Sequence, residues 1–155
     1  MFFSPSGRID PPLSAENREK DQLEKAPLPL DGKRTILVVD DDDIVLAVVA
    51  NILADYNVLT AVSGSDGLHK SRQFKGRIHL LLSDFQMSGM SGVDLATAMT
   101  IDRPDVKVLL MSGFKDGMLI LNEGWHFLNK PFVASQLKAL VTGLVDPDKK
   151  SKFAN

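Results

Sequence analysis

The chain has 155 residues, a formal net charge of −2, a hydrophobic share of 44% and no cysteine. This length suits one domain with a substantial core. The near-neutral charge gives no electrostatic footprint for nucleic acid or an anionic membrane, and the lack of cysteine excludes disulfides and thiol catalysis. There is no signal-peptide pattern and no apolar run of membrane-spanning length. We therefore expect a cytoplasmic protein that binds neither nucleic acid nor membrane directly.

The two ends of the chain differ in composition from its middle. Residues 1–33 contain five prolines and the mixed-charge stretch Glu16–Lys25, and few of them are suited to a core. We predict a flexible arm or linker there. Residues 146–155 are polar and are predicted to form a frayed tail. The folded part is therefore expected over residues 34–145.

Between these ends, short apolar runs alternate with helical patterns. The runs predict five strands, over Thr35–Val39, Asn57–Ala61, Ile78–Leu82, Val106–Leu110 and Trp125–Leu128. Helices are predicted over Ile44–Leu53, Ser65–Phe74, Val93–Met99, Asp116–Leu121 and Val133–Leu144. The apolar positions of the first helix are Ile44, Val45, Val48, Val49, Ile52 and Leu53, and those of the last are Val133, Leu137, Leu140, Val141 and Leu144. Five strand–helix repeats predict an α/β fold with a doubly wound parallel sheet.

Side chains that carry chemistry follow four of the predicted strands. They are the run Asp40–Asp43, then Asp84, Ser112 and Lys130. Because the carboxyl ends of parallel strands line one crevice, we expect these groups to converge. Carboxylates for a divalent cation, an aspartate to accept a phosphoryl group, and a hydroxyl and an ammonium to hold its oxygens form a chemically complete set. The pattern predicts a phosphorylation site.

The aspartate run has two interpretations. One or two aspartates suffice to cap the first helix, whereas four adjacent carboxylates repel one another unless a cation offsets the repulsion. Asp40 and Asp41 finish the strand and are expected to face the crevice. Asp42 or Asp43 is better placed as the helix cap. The run alone does not choose between metal binding and capping.

Asp84 and Lys130 have neighbours that favour a site. Gly89 and Gly92 let the loop after Asp84 bend tightly, which leaves its carboxylate exposed at the end of the sheet. A carboxylate there can attack a phosphorus atom and form an acyl phosphate. Pro131 holds Lys130 in an extended backbone and permits a cis bond between the two residues. The ammonium is then expected to pair with Asp84 before reaction and with a phosphoryl oxygen afterwards.

Other common sites are missing from the sequence. No nucleoside-triphosphate loop and no dinucleotide-binding glycine motif occurs. His69, His79 and His126 lack metal-ligand spacing, and His79 is interpreted as a packed or edge histidine.

Four stretches, in their order and spacing, are similar to the receiver domain of two-component response regulators. They are Ile36–Asp41, Leu82–Met87, Leu110–Gly113 and Phe127–Phe132. The resemblance covers residues 34–145. It implies a flavodoxin-like (βα)5 fold with strand order 2-1-3-4-5. It also implies a phosphorelay protein that is not an enzyme in its own right, but a regulatory phosphoacceptor that assists its own phosphorylation and dephosphorylation.

The resemblance implies a role for each acidic residue of the site. Asp84 corresponds to the phosphoacceptor. Asp41 and Asp84 would bind Mg²⁺ directly, together with the backbone carbonyl of Gln86. Asp40 would act on the ion mainly through a water molecule. Catalysis of this kind rests on positioning and charge neutralisation.

The resemblance also implies a switch and partners. Ser112 would bind the phosphoryl group, Lys130 would pair with it, and Phe127 stands where the family has an aromatic that changes rotamer. The donor would be a sensor histidine kinase or a histidine phosphotransfer protein. A downstream partner, or a second copy, would bind the short helix over Asp116–Leu121, the fifth strand and the last helix. Ser88 replaces the usual loop proline, and Phe127 lacks the commoner tyrosine hydroxyl.

The sequence leaves several interpretations of the chain's context and function open. The chain fits a stand-alone receiver, the receiver of a hybrid histidine kinase, or the first part of a longer regulator. A haloacid-dehalogenase-like phosphatase also uses an aspartate nucleophile and Mg²⁺, with a second acidic residue two positions later. That position after Asp84 is Gln86, although the pair Asp40 and Asp42 has the required spacing. A docking module with an unused site is the other alternative.

Overall fold

The computed structural model describes residues 32–113 and 124–149. The short helix predicted over Asp116–Leu121 lies outside this part, as do nearly all of the predicted arm and most of the predicted tail. The strands are β1 Thr35–Val39, β2 Asn57–Ala61, β3 Leu80–Asp84, β4 Lys107–Ser112 and β5 His126–Asn129. The helices are α1 Asp43–Ile52, α2 Gly64–Gln73, α3 Gly92–Asp102 and α4 Ala134–Val145. None of the helices in the described ranges has the length and apolar character needed to cross a membrane.

The strands form one sheet in which every neighbouring pair is parallel, in the order β2-β1-β3-β4-β5. This confirms the predicted α/β fold and its strand order. β2 pairs with one side of β1, and β3 pairs with the other side. The order therefore reverses at β1, and the crevice at the carboxyl ends of β1 and β3 is where such folds bind their ligands.

Both faces of the sheet are covered, which explains the unbroken apolar strands. Alternate residues of β1 point to opposite faces. Ile36 and Val38 belong to a core cluster with residues of α1 and α4. Leu37 and Val39 belong to a second cluster with residues of α3 and, at its margin, α2. These four side chains are fully buried, so β1 is a fixed central support for the groups that follow it.

Helix α1 buries only part of its apolar surface. Leu46, Val49 and Leu53 are buried against the sheet, whereas Ile44 is 74% exposed and Val48 is 52% exposed. Apolar residues occupy most of the circumference of α1, so helical spacing fits more than one face. Of the six apolar positions at helical spacing, four belong to the core cluster or pack against it, namely Val45, Val49, Ile52 and Leu53, whereas Ile44 and Val48 lie outside it.

Some element boundaries also differ from prediction. Val133 is not part of the buried stripe of α4 but stands at its N-cap, with 60% exposure. β3 begins at Leu80 although Ile78 is itself buried, and β5 begins at His126. An apolar run therefore predicts which residues are buried more reliably than it predicts the residue at which the hydrogen-bonded strand begins. The first two strands have the predicted bounds.

Candidate functional site

The carboxyl edge of the sheet carries the predicted polar groups. Asp84 and Ser112 are the last residues of β3 and β4, Asp40 directly follows β1, and Lys130 directly follows β5. A cavity of about 390 Å³ opens at this edge. It is lined by Asp84, Phe85, Gln86, Ser112, Gly113 and Lys130. The fold therefore gathers groups that lie up to 90 positions apart in the sequence.

Three carboxylates meet beside this cavity. Asp40, Asp41 and Asp84 each offer an oxygen, and these oxygens lie within 4.8 Å of one another. Asp40 is buried, Asp84 is partly buried, and Asp41 is exposed. Hard oxygen ligands of this kind suit Mg²⁺, which commonly retains several waters. Gln86, the predicted source of a carbonyl ligand, lines the same cavity. The donor set therefore fits a magnesium ion.

Lys130 places its ammonium between two of the carboxylates. Its Nζ lies 3.3 Å from Oδ2 of Asp40 and 3.2 Å from Oδ1 of Asp84. The backbone N–H of Lys130 donates to the carbonyl of Ser112 at 2.7 Å, which anchors it to the end of β4. The bond to Pro131 is cis, as the sequence allows. The ammonium thus bridges the ends of β1 and β3 from the edge of the sheet.

The electrostatics of the site follow from this crowding. Burial raises the pKa of Asp84, the charge of Lys130 opposes that rise, and the carboxylate of Asp40 adds to it. Burial alone would lower the pKa of Lys130, but Asp40 and Asp84 together raise it through their charges and hydrogen bonds. Lys130 therefore stays an ammonium, while a second cation beside Asp84 would further favour its ionised form.

The aspartate run contributes residues both to the site and to the N-terminus of helix α1. The carboxylate of Asp40 accepts a hydrogen bond from the N–H of Asp42 at 2.9 Å. Asp42 is the N-cap of α1, and its carboxylate accepts from the N–H of Ile44 at 2.8 Å. Asp43 is the first residue of the helix. The predicted cap at Asp42 or Asp43 is confirmed, and Asp40 and Asp41 lie at the carboxylate cluster.

The loop after Asp84 is held close to the strand. The N–H of Gly92 donates to the carbonyl of Phe85 at 3.0 Å. A Cβ at Gly92 would collide with the carbonyl oxygen of Asp84, so this close approach requires glycine. Gly89 has a φ of 77°, in the left-handed region that glycine readily adopts. The two predicted bending points thus require glycine for different reasons. Gly92 allows the close approach to the carbonyl of Asp84, and Gly89 allows the left-handed backbone conformation.

Two contacts of the site were missed in the sequence. One is the direct pairing of buried Asp40 with Lys130. Its signal was the period-two alternation of the strand, which puts Asp40 on the same face as Ile36 and Val38. The other is the contact between the rings of Phe85 and Phe127, whose centroids are 6.5 Å apart. No sequence signal pairs these rings, because their approach depends on how β3, β4 and β5 stack side by side.

Comparison with known proteins places this geometry in a family. Residues 36–142 match the family model described as the response regulator receiver domain. The chain belongs to this family. A receiver domain is the phosphoacceptor module of two-component signalling, and this one spans nearly all of the described part of the chain.

Related receivers occur in two kinds of protein. The chain is 29% identical to the sensor kinase CckA of Brucella abortus over 143 residues, which cover 88% of this chain and 15% of the kinase. It is 34% identical to the transcriptional regulatory protein PrrA of Mycobacterium tuberculosis over 71% of this chain and 49% of that protein. The chain therefore spans less than half of either relative.

Solved receiver structures show the same fold. The receiver domain of the hybrid histidine kinase CckA has a TM-score of 0.64 and 31% identity, covering 72% of this chain and 99% of that one. The response regulator TrrA of Thermotoga maritima, in complex with Mg²⁺ and BeF, has a TM-score of 0.64 and 27% identity, covering 72% and 98%. Both likenesses extend over nearly the whole of the compared receiver.

Proposed function

We propose that this receiver accepts a phosphoryl group on Asp84 in a Mg²⁺-dependent reaction, and that the phosphorylated form alters a protein-binding surface. The observation that carries the proposal is the meeting of Asp84, Asp40, Asp41 and Lys130 at one edge of the sheet, beside a cavity that Asp84 and Lys130 line. A nucleophile, a cation site and a fixed ammonium are the parts that phosphoryl transfer requires. The receiver itself is expected over residues 34–145.

The transfer conserves atoms and charge in a simple way. A carboxylate oxygen of Asp84 attacks the phosphorus of a phosphohistidine on the donor. The P–N bond breaks, its electron pair stays on the imidazole nitrogen, and an acyl phosphate forms on Asp84. Lys130 pairs with a phosphoryl oxygen, and the hydroxyl of Ser112 donates to another. Hydrolysis by water later returns Asp84 to its carboxylate and releases inorganic phosphate.

Mg²⁺ would be held by Asp41, Asp84 and the backbone carbonyl of Gln86, with Asp40 acting through a water. When bound, the ion neutralises charge on the phosphoryl oxygens. The contact between Asp40 and Lys130 gives Asp40 a further task, which is to hold the ammonium in place. Phe127 is proposed as the aromatic of the switch.

The donor is proposed to dock on α1 and the start of α4. Both helices begin beside the site, and both present exposed apolar side chains there, Ile44 and Val48 on α1 and Val133 at the N-cap of α4. These residues are three of the five large apolar side chains exposed in the described ranges. A histidine-bearing domain of a sensor kinase or phosphotransfer protein has to approach this edge to reach Asp84. Apolar contact would then hold it in register.

The output surface and the larger context are also proposals. We place the downstream partner, or a second copy, on β5 and α4 together with the segment 116–121 outside the described ranges. The receiver acts as a regulator in the cytoplasm. It either stands alone or belongs to a hybrid histidine kinase or a longer regulator. The kinase and regulator relatives support both larger contexts.

Phosphoryl uptake tests the proposal. The intact mass would be measured after incubation with acetyl phosphate and Mg²⁺, with EDTA in a parallel sample. The expected result is one added phosphoryl group in the wild type and in Asp55→Asn, and none in Asp84→Asn or with EDTA. Asp55 is the matched control because it is an exposed aspartate away from the cavity. No uptake in any sample, although Mg²⁺ binds, would contradict the proposal and favour a docking module.

Hydrolysis of a generic phosphate ester separates the receiver from a phosphatase. A receiver is expected to release little p-nitrophenol from p-nitrophenyl phosphate. Sustained turnover that survives Asp84→Asn would instead favour an aspartate nucleophile in the run Asp40–Asp43.

A further inference from the structure

Phe85 lies between the phosphorylation cavity and the edge of the sheet. It directly follows Asp84 and lines the same cavity. Its ring contacts that of Phe127, with centroids 6.5 Å apart and planes at 51°. Both side chains are partly buried and pack against the same core cluster. A tilted arrangement at this distance is one that aromatic pairs favour, so the relative position of the two rings is specific.

The backbone of Phe85 is fixed on both sides. Its N–H donates to the carbonyl of Met111 at 2.8 Å, and its carbonyl accepts from Gly92 at 3.0 Å. These two hydrogen bonds restrain the peptide units on either side of Phe85. We therefore expect a response at this position to be carried mainly by the phenyl ring.

Phe127 belongs to a strand at one edge of the sheet. β5 is one of the two edge strands, and within the described residues it pairs with β4 alone, where Phe127 stands opposite Leu110. Lys130, one residue beyond the strand, contacts Asp84 at 3.2 Å. Strand β5 is thus tied to the cavity at two points, by an ion pair at its end and by a ring contact along its length.

We propose that Phe85 is a positioning residue that couples occupancy of the phosphorylation cavity to the position of the Phe127 ring on β5. A phosphoryl group on Asp84 fills the space that Phe85 borders and draws the Lys130 ammonium toward its oxygens. The ion pair between Lys130 and Asp84 and the ring contact between Phe85 and Phe127 then change together, so the position of β5 depends on whether Asp84 is phosphorylated. This inference rests on the proposed function and adds a named residue to the route by which the signal leaves the site.

Fluorine NMR of protein labelled with fluorophenylalanine tests the coupling. The Phe127 resonance is assigned by its loss in Phe127→Leu, and spectra are compared before and after phosphorylation with acetyl phosphate and Mg²⁺. Phe85→Leu removes the ring, and Phe85→Tyr retains it. Phe74→Leu is the matched control, because Phe74 is also partly buried against the same cluster but does not line the cavity. Intact mass gives the phosphorylated fraction of every sample.

The expected result is a shift of the Phe127 resonance on phosphorylation in the wild type, Phe85→Tyr and Phe74→Leu. In Phe85→Leu the shift, compared with the wild type at an equal phosphorylated fraction, falls by about fivefold or more. An equal shift in Phe85→Leu and the wild type overturns the coupling and leaves Phe85 a packing residue. If Phe85→Leu does not fold, Phe85→Met takes its place as an unbranched, ring-free variant.

The two proposals fail in different ways. Wild type that gains phosphoryl mass without any movement of the Phe127 resonance overturns the coupling and keeps the phosphoacceptor. Wild type that gains no mass overturns the phosphoacceptor, and the coupling with it.

Discussion

The ammonium of Lys130 lies 3.3 Å from a carboxylate oxygen of Asp40, and the side chain of Asp40 is 1% exposed. A buried carboxylate that loses the ammonium paired with it retains its desolvation cost without that compensation. Lys130→Ala is therefore expected to lower the free energy of unfolding by about 3 kcal/mol, the low end for such a pair because Lys130 is partly exposed. Urea unfolding measures this change.

Two comparisons separate this effect from the loss of any lysine. Lys138→Ala, at an exposed position of α4, is expected to change stability by less than about 0.5 kcal/mol. Mg²⁺ is expected to restore part of the loss in Lys130→Ala, because it supplies positive charge to the same carboxylates. Equal stability of the two variants would show that Asp40 does not depend on Lys130.

Gly92 is predicted to be irreplaceable, because its Cα lies against the carbonyl of Asp84. A Cβ there would collide with that oxygen. Gly92→Ala is expected to cost about 3 kcal/mol or to prevent folding, since neither backbone segment can move aside without disturbing β3 or α3. Gly113→Ala is the control, because nothing lies within 4 Å of its added Cβ. Thermal unfolding of both variants checks this, and a stable Gly92→Ala protein would contradict the account of the loop.

Ile44 is predicted to contribute to donor docking and not to the chemistry. Ile44→Asp puts a charge on the exposed face of α1 and is expected to slow phosphoryl transfer from the histidine donor by about tenfold or more. The rate with acetyl phosphate is expected to stay unchanged, because that donor needs no docking surface. Ile101→Asp is a close match, since Ile101 is 76% exposed and Ile44 is 74% exposed. Equal transfer rates for the two variants would exclude α1 as the docking surface.

Stability is predicted to fall in acid through His79. Its Nδ1 accepts a hydrogen bond from the N–H of Thr35 at 3.0 Å, so this nitrogen carries no proton. Burial lowers the pKa of His79 below its ordinary value of 6.5, and the charges of Arg77 and Arg34 lower it further. The unfolded chain therefore binds the proton more readily than the folded one. The stabilisation is complete above about pH 6.5 and is lost as the pH falls through the lower pKa of the folded state.

Unfolding in urea between pH 5 and pH 8 measures this dependence. His79→Ala is expected to remove the His79 component of the pH dependence and to cost about 1 to 3 kcal/mol at neutral pH, because the buried N–H of Thr35 loses its acceptor. His126→Ala, at an exposed position, is expected to follow the wild type. An unchanged pH profile in His79→Ala would remove His79 as the cause.

Much of this molecule follows from its sequence, because its signals are local. The bounds of β1 and β2 and the cap at Asp42 depend on alternation, apolar runs and capping preference within a few residues. The meeting of Asp84, Asp40 and Lys130 follows from one topological rule about the ends of parallel strands. Their chemical roles remain predictions that the phosphorylation experiments address.

The misses have a common physical cause. Ile44 and Val48 satisfy the helical period as well as Leu46 and Val49 do, and only packing against the sheet selects the buried stripe. The contact between Phe85 and Phe127 depends on the lateral spacing of strands, which leaves no pattern in either segment. The chemistry of single residues and the periodicity of an element can thus be predicted from the sequence. Which of several equivalent helix faces is buried depends on tertiary packing.

The most direct test of the account is to find which aspartate carries the phosphoryl group. Protein treated with acetyl phosphate and Mg²⁺ would be reduced with borohydride, which converts an acyl phosphate to homoserine, and then mapped by peptide mass spectrometry. We expect homoserine at position 84 and unmodified aspartate at Asp40, Asp41, Asp42 and Asp43. Homoserine within the run Asp40–Asp43, with Asp84 intact, would contradict it.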